Sequence, residues 1–282
     1  MKNFTGKVAA ITGAGSGIGR ALALKLAERG AVLAIADINA DSLEQTREML
    51  VAEGAACSSH VVDVADRDAV EAFAADVTRE HGAVHLVINN AGVTVVDQAE
   101  RISYEDFNWV MNINFWGAVY GTKAFLPYLR KVDEAHIVNV SSLFGLVAIP
   151  LQSAYNASKF ALRGFTEALK MELAGSSIGV SCVHPGGIKT RIGKHSRVRE
   201  ESLTVSKEEL LADFDRFAMT SPERAAAIII RGIERKRRRI MIGPDARLFD
   251  WIGRLFPGSY EKIVRLETKS RARNKASLTS ER

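Results

Sequence analysis

Thr12-Gly13-Ala14-Gly15-Ser16-Gly17-Ile18-Gly19 joins an apolar, β-branched run at residues 8–12 to a helical pattern at residues 18–29, with Ile18, Leu22 and Leu26 on one face. That context gives the glycines meaning. They permit a tight turn and let backbone approach a pyrophosphate. The helix that follows offers free N–H groups and a partial positive charge to phosphates. Gly13, Gly15, Ser16, Gly17, Ile18 and Gly19 are therefore candidate dinucleotide contacts. Outward from this turn, Gly30 stops the helix, and the next apolar run, residues 32–36, leads to Asp37. An acid at that spacing suits the adenosine ribose hydroxyls and repels a 2′-phosphate. Ile38 and Asn39 follow it, so no base stands beside it in the chain, which favours NAD over NADP.

The same alternation continues along the chain. Residues 41–53 read as helix, 60–64 as strand, 66–81 as helix and 84–89 as strand. Residues 103–130 form a long helical stretch interrupted by Pro127. Strand 136–140, helix 152–173, strand 180–183, helix 222–235 and strand 239–242 complete the series. Strands alternating with helices imply one α/β, doubly wound (Rossmann) domain, with a parallel seven-stranded sheet covered on both faces. Its expected extent is residues 1–246, with 189–220, polar and helical in part near 207–217, as a flap over a site. Residues 247–282 are expected to be a helical, basic extension, disordered after about residue 268.

Composition narrows the function. Hydrophobic residues are 47% and charged residues 25%, enough to bury a sizeable core. The formal charge of +5 is too mild to argue for nucleic acid, and no recognition module is visible. Cys57 and Cys182 lie far apart and match neither a metal spacing nor a disulfide framework. No signal peptide or membrane-spanning run is evident, so the expectation is a reduced, cytoplasmic protein. The tail carries Arg235-Lys236-Arg237-Arg238-Arg239. Leu248, Trp251, Ile252, Leu255 and Phe256 then recur at helical spacing, followed by Lys262, Arg265, Lys269, Arg271, Arg273 and Lys275. Peripheral membrane contact is one reading of that tail. Packing on its own domain or on another subunit is the favoured one.

The chemistry is carried by Tyr155 and Lys159, four apart on one predicted helical face. A tyrosine loses its proton near pH ~10. A neighbouring ammonium and an oxidised nicotinamide should both lower that value, allowing proton exchange with an alcohol oxygen. Ser141 and Ser142 follow a strand, Ser142 lying 13 residues before Tyr155. Asn89-Asn90-Ala91-Gly92 ends an earlier strand, and Asn114-Phe115-Trp116-Gly117 lies in the long helix. Together these residues resemble the short-chain dehydrogenase/reductase family, in its single-domain branch, over roughly residues 5–245.

The resemblance implies roles. Tyr155 would be the proton donor and acceptor and, with Lys159, a cofactor contact. Lys159 would bind the nicotinamide ribose and tune the tyrosine. Ser142, chosen over Ser141 by its spacing, would hydrogen-bond the substrate oxygen. Asn114, chosen over Asn112 because Gly117 follows, would hold a water that completes a proton relay. Asp63 and Val64 would meet the adenine edge, Asn90, Ala91 and Gly92 would line the cofactor, and Pro185, Gly186, Ile188 and Thr190 would fix the carboxamide. Asn156 departs from the small residues usual there, without touching the tetrad. Thr94, Leu143, Phe144, Ile149, Gln152 and Gly187 would wall the substrate pocket. Phe144 and Ile149 suggest a lipophilic or cyclic secondary alcohol or its ketone; packing of the loop is an equal reading for Phe144. The implied enzyme is NAD-dependent, acts on CH–OH, and is a homodimer or homotetramer through the helices at 103–130 and 152–173. The alternatives are an NADPH-dependent carbonyl or 3-oxoacyl reductase and a non-catalytic nucleotide-binding scaffold, against which the intact tetrad argues.

Overall fold

The computed structural model describes residues 1–190, 196–198 and 218–262. Its chain order is β1 (Val8–Thr12), α1 (Gly17–Ala27), β2 (Val32–Asp37), α2 (Ala40–Ala52), β3 (Cys57–Val61), α3 (Arg67–His81) and β4 (Leu86–Asn89). A short β5 (Val95–Val96) and α4 (Tyr104–Met111) follow, then a π-helical turn (Asn112–Trp116) and α5 (Gly117–Leu129). Next come β6 (Ala135–Val140), a 3₁₀ turn (Leu143–Gly145), α6 (Ser153–Glu172), β7 (Ile178–Pro185) and β8 (Arg197–Val198). The last elements are α7 (Pro222–Glu234), β9 (Arg239–Ile242) and α8 (Pro244–Leu255).

Seven strands form one parallel sheet in the order β3-β2-β1-β4-β6-β7-β9. The order turns about between β1 and β4. The crevice beyond the carboxyl ends of those two strands is where a doubly wound sheet holds its ligand. Successive residues of β1 serve opposite faces, as the two-residue period of a strand requires. Ala9 and Ile11 pack with Leu22, Leu26, Ile229 and Ile233. Val8 and Ala10 pack with Val70, Phe73, Phe125 and Leu129. Both faces are thus roofed by helices, which is why the strands read as apolar runs rather than as alternation.

Three expectations are corrected in detail. The third strand, expected at residues 60–64, lies at Cys57–Val61, because its register against Leu33–Asp37 is set by main-chain pairing, not by an apolar run. The valines that drew the reading, Val62 and Val64, are buried just past the strand, under the crevice. Pro127 does not interrupt its helix; α5 continues to Leu129, and the break falls earlier, at the π-helical turn 112–116. The tail helix begins at Pro244, inside the range given to the domain. It turns Ala246 and Phe249 inward onto Leu143, Val147 and Phe144. Leu248, Trp251, Leu255 and Phe256 remain exposed, so packing on its own domain does not hold for them. The helical patch at 207–217, most of the flap 189–220 and the tail after 268 lie outside the described residues.

Candidate active site

The glycine turn is shaped by close backbone approach. A β-carbon on Gly19 would lie 2.1 Å from the Gly13 carbonyl oxygen, and one on Gly13 would lie 2.8 Å from Ala91 Cα. Gly13 and Gly17 also sit at φ +66° and +52°, where a side chain is strained. Asn90 ties the turn to β4, its amide nitrogen donating to the carbonyls of Thr12 (3.0 Å) and Gly13 (3.1 Å). Thr12 Oγ1 accepts from the backbone of both Asn90 and Ala91. Ser16 stands at the start of α1 without a side-chain cap, whereas Asn39, Asp66 and Ser103 cap α2, α3 and α4. The first amides of α1 are thus left for an anion.

Asp37 ends β2 with its carboxylate accepting from Gly15 N (2.9 Å) and Asn39 N (3.0 Å). It borders the turn closely: a β-carbon on Gly15 would meet Asp37 Oδ2 at 2.9 Å. The chain beside Asp37 holds no base, but the fold brings one. Arg20, on α1, donates to the carbonyls of Gly15 and Ser42, to Gln45 Oε1 and to Thr46 Oγ1. The absence of a base in sequence was therefore not its absence in space.

Of the remaining cofactor candidates, Val64 is buried beneath the crevice, and a β-carbon on Gly117 would meet it at 2.9 Å. Asp63 is exposed, its carboxylate accepting from Ala65 N (2.9 Å). Pro185 closes β7 opposite Ile242, and Gly186 N continues that ladder to the Ile242 carbonyl. Ile188 bridges to Thr220. Thr190 reaches the glycine turn, where a Gly17 β-carbon would lie 3.1 Å from its methyl.

The catalytic candidates meet at the carboxyl end of β6. Ser142 leaves the strand in extended conformation (φ −160°), and its hydroxyl accepts from Phe144 N (3.1 Å). The same hydroxyl acts on the Tyr155 phenol, lowering its pKa. Ser141, by contrast, spends its hydroxyl on the Lys159 carbonyl (2.9 Å), a structural tie. Tyr155 and Lys159 stand in the first turns of α6, Lys159 buried with Nζ 5.6 Å from the Tyr155 ring centre. Asn114 sits in the π-helical turn, a distortion frequent at functional sites. Its side-chain oxygen accepts from Val93 N (2.8 Å), and its amide nitrogen donates to Val93 O (2.9 Å) and Ser158 Oγ (3.0 Å). Gly92 marks the convergence: a β-carbon there would lie 3.2 Å from Asn114 Oδ1 and 3.3 Å from Lys159 Nζ.

The electrostatics differ from expectation. Desolvation pushes the Tyr155 phenol above its ordinary pKa, and the Ser142 hydroxyl works against that. The lowering expected from Lys159 is not among the effects on Tyr155. Its ammonium donates instead to the Val140 carbonyl (3.0 Å), and burial lowers its own pKa to about 8.

The pocket candidates divide. Phe144 stands edge-on to Tyr155, ring centres 6.3 Å apart. Thr94 and Gln152 are both buried and hydrogen-bond each other (2.6 Å). Ile149 is partly buried and gives its carbonyl to Asn156 Nδ2 (2.8 Å). Leu143 turns its side chain into the cluster with Val147 and Ala246. Gly187 N donates to Asp245 Oδ2 (2.7 Å). Sequence reasoning missed Asp245, Ser158 and His184, whose imidazole contacts the Ser142 carbonyl. Each acts across many residues of chain, so no local pattern announces it.

Comparison with known proteins agrees with this geometry. A sequence model described as short chain dehydrogenase matches residues 7–201. A Mycobacterium tuberculosis protein described as an oxidoreductase, SadH, is 46% identical over 268 residues, covering 94% of this chain and 96% of its own. The 3-oxoacyl-[acyl-carrier-protein] reductase FabG of Thermotoga maritima is 36% identical over 228 residues, 80% of this chain and 89% of its own. A short-chain dehydrogenase/reductase from Burkholderia phymatum, solved in complex with NAD, superposes with a TM-score of 0.84 at 34% identity, covering 93% of this chain and 96% of that one. With a parallel seven-stranded sheet, a glycine turn at its switch point and kinship along nearly its whole length, the chain belongs to the short-chain dehydrogenase/reductase family of NAD(P)-binding oxidoreductases.

Proposed function

We propose that this protein interconverts a secondary alcohol and its ketone, with NAD as the hydride partner and Tyr155 as the proton donor and acceptor. The observation that carries the reading is the convergence of Lys159 Nζ and Asn114 Oδ1 at Gly92, with the Lys159 ammonium 5.6 Å from the Tyr155 ring centre and the Ser142 hydroxyl acting on the Tyr155 phenol. When bound, the nicotinamide supplies or takes the hydride. Gly13, Gly15, Ser16, Gly17, Ile18 and Gly19 would hold its pyrophosphate, and Asp37 the adenosine ribose. Asp63 and Val64 would border the adenine, Asn90, Ala91 and Gly92 the cofactor's length, and Pro185, Gly186, Ile188 and Thr190 the carboxamide.

The chain's own residues move the proton. Ser142 donates to the substrate oxygen and fixes it against the Tyr155 hydroxyl, which gives or takes the proton at that oxygen. Lys159 would bind the nicotinamide ribose, and its charge would favour the phenolate once the ammonium turns from Val140. The amide of Asn114 is committed to Val93 and Ser158, so it would hold a relay water through its backbone.

A lipophilic substrate is supported by the Phe144 ring beside Tyr155, with Ile149 and the mutually satisfied Thr94–Gln152 pair as the rest of the wall. Exposed Trp116 and Phe160, on the helical turn before α5 and on α6, support a homodimer through those helices. Among the described residues no helix is long and apolar enough to cross a membrane. We read residues 1–246 as the catalytic domain of a cytoplasmic enzyme and 247–282 as its extension, with the exposed face of α8 against another subunit rather than a lipid surface.

A second reading, an NADPH-dependent reductase, is favoured by Arg20 at the Gly15 turn and by kinship to a 3-oxoacyl reductase. A spectrophotometric panel of alcohols and ketones with both cofactors decides between them. Turnover with NAD on an apolar secondary alcohol is the expected result. Marked preference for NADPH overturns the cofactor assignment, and no turnover on any member overturns the reaction.

A further inference from the structure

Two histidines of the described chain are almost wholly buried, and they differ in place. His136, near the start of β6, meets Ser181 Oγ at 2.8 Å, at the end of the sheet away from the crevice. His184 is the last residue but one of β7, at the crevice end, and its Nδ1 lies 3.1 Å from the Ser142 carbonyl oxygen. A carbonyl only accepts, so Nδ1 carries the proton. Nε2 is then a bare lone pair, buried and without a partner among the described residues.

A second proton would have to sit on that enclosed nitrogen. The charges that reach the ring are Arg239, on the neighbouring strand, and Arg163, both opposing protonation, with Glu167 favouring it. Burial dominates and holds the imidazole down to about pKa 4. The ring is thus neutral, in one tautomer, across the physiological range.

Its target matters. The sheet ladder ends one residue before Ser142, where Ser141 N donates to the Val183 carbonyl. From there Ser142 is held by its own turn, Gly145 N donating to its carbonyl (3.0 Å) and Phe144 N to its hydroxyl (3.1 Å). Both ties move with the turn. The imidazole ties the same carbonyl to β7, which is fixed in the sheet. We propose that His184, through its Nδ1–H, is a positioning residue that anchors Ser142 to β7 and so sets where the Ser142 hydroxyl meets Tyr155 and the substrate oxygen. This rests on the reading of Ser142 as the group that binds that oxygen.

The test uses the geometry of amide substitutes. In His184→Asn an N–H sits near the place of Nδ1; in His184→Gln it sits near the place of Nε2; His184→Phe fills the volume with no donor. Small misplacement of a reacting group is costly, so Phe and Gln should each lower kcat about tenfold, and Asn should stay within about threefold of wild type. Binding of NADH, followed by its fluorescence, should be unchanged in all three. Equal kcat for Phe and wild type, or no advantage of Asn over Phe and Gln, overturns the proposal.

A readout that needs no folded variant is ¹⁵N NMR of the histidine-labelled wild-type holoprotein. It should show one buried ring in the Nδ1–H form, unprotonated from about pH 5.5 to 8. An Nε2–H tautomer or an imidazolium there overturns it. The serine reading fails separately, if Ser142→Ala keeps wild-type turnover while the tautomer stands as stated.

Discussion

The cofactor crevice and the catalytic corner lie at the same end of one sheet, yet they are built differently. In the crevice the glycines of the turn are close in sequence and act through backbone, braced from β4 by Asn90. Gly19 must lack a side chain because Gly13, six residues earlier, occupies the space. In the corner each group is held by something distant. Lys159 points at Val140, Asn114 at Val93 and Ser158, Ser142 at His184, and Gly187 at Asp245. A turn made by local sterics tolerates little change but specifies little chemistry. A corner assembled across the sheet can place a phenol, an ammonium and a hydroxyl within reach of one another while varying its wall.

That contrast can be broken by substitution. The largest effect should come from the corner: Tyr155→Phe should cut kcat by roughly 10²–10⁴-fold with dinucleotide affinity kept, in steady-state kinetics beside an NADH titration. Loss of affinity with kcat kept would make Tyr155 a cofactor contact alone. Next, Gly19→Ala should damage the crevice alone. Its β-carbon collides with the Gly13 carbonyl, so overpacking should cost about 1–3 kcal/mol in denaturant unfolding and weaken cofactor binding. Asp37→Ala should shrink the preference for NAD over NADP by about tenfold, since it removes one like-charge repulsion. Unchanged preference would pass the discriminating role to Arg20.

The smallest effect is a pH dependence. Lys159 falls from its ordinary value to about 8 in the folded protein, so between about pH 8 and 10.5 the unfolded chain binds more protons than the folded one. Stability from this group therefore rises with pH across that window and is lowest below it. Lys159→Met removes the term. Its melting temperature relative to wild type should be highest near pH 7 and fall by a few degrees as pH approaches 10, at ~2–4 °C per kcal/mol for a chain of this size. A flat difference would mean that Lys159 is not desolvated.

Legibility followed the same division. The sheet, its helices and the glycine turn could be read because periodicity and turn chemistry are short-range. The third strand was misplaced because Cys57-Ser58-Ser59 carries no apolar signal; pairing with Leu33–Asp37 alone puts it there. At the site, Tyr155 and Lys159 were legible by spacing and Ser142 and Asn114 through the family resemblance; the structure places Asn114 and Lys159 together at Gly92, with Tyr155 and Ser142 beside them. The direction of the Tyr155 shift was not, because spacing shows a neighbouring charge but neither the desolvation around the phenol nor the carbonyl that holds the ammonium aside. Arg20, which meets the Gly15 carbonyl in the turn that Asp37 borders, was equally invisible, being 17 residues from Asp37 in sequence.

The central claim is that the Tyr155 hydroxyl and the reactive face of the dinucleotide share one small space with the Ser142 hydroxyl. A crystal structure with NAD bound measures this directly. The account predicts the pyrophosphate on the Gly13–Gly19 turn, Lys159 swung from Val140 toward the nicotinamide ribose, and the Tyr155 oxygen beside the nicotinamide ring. A nicotinamide lodged away from residues 142 and 155, with Lys159 still on Val140, would contradict it.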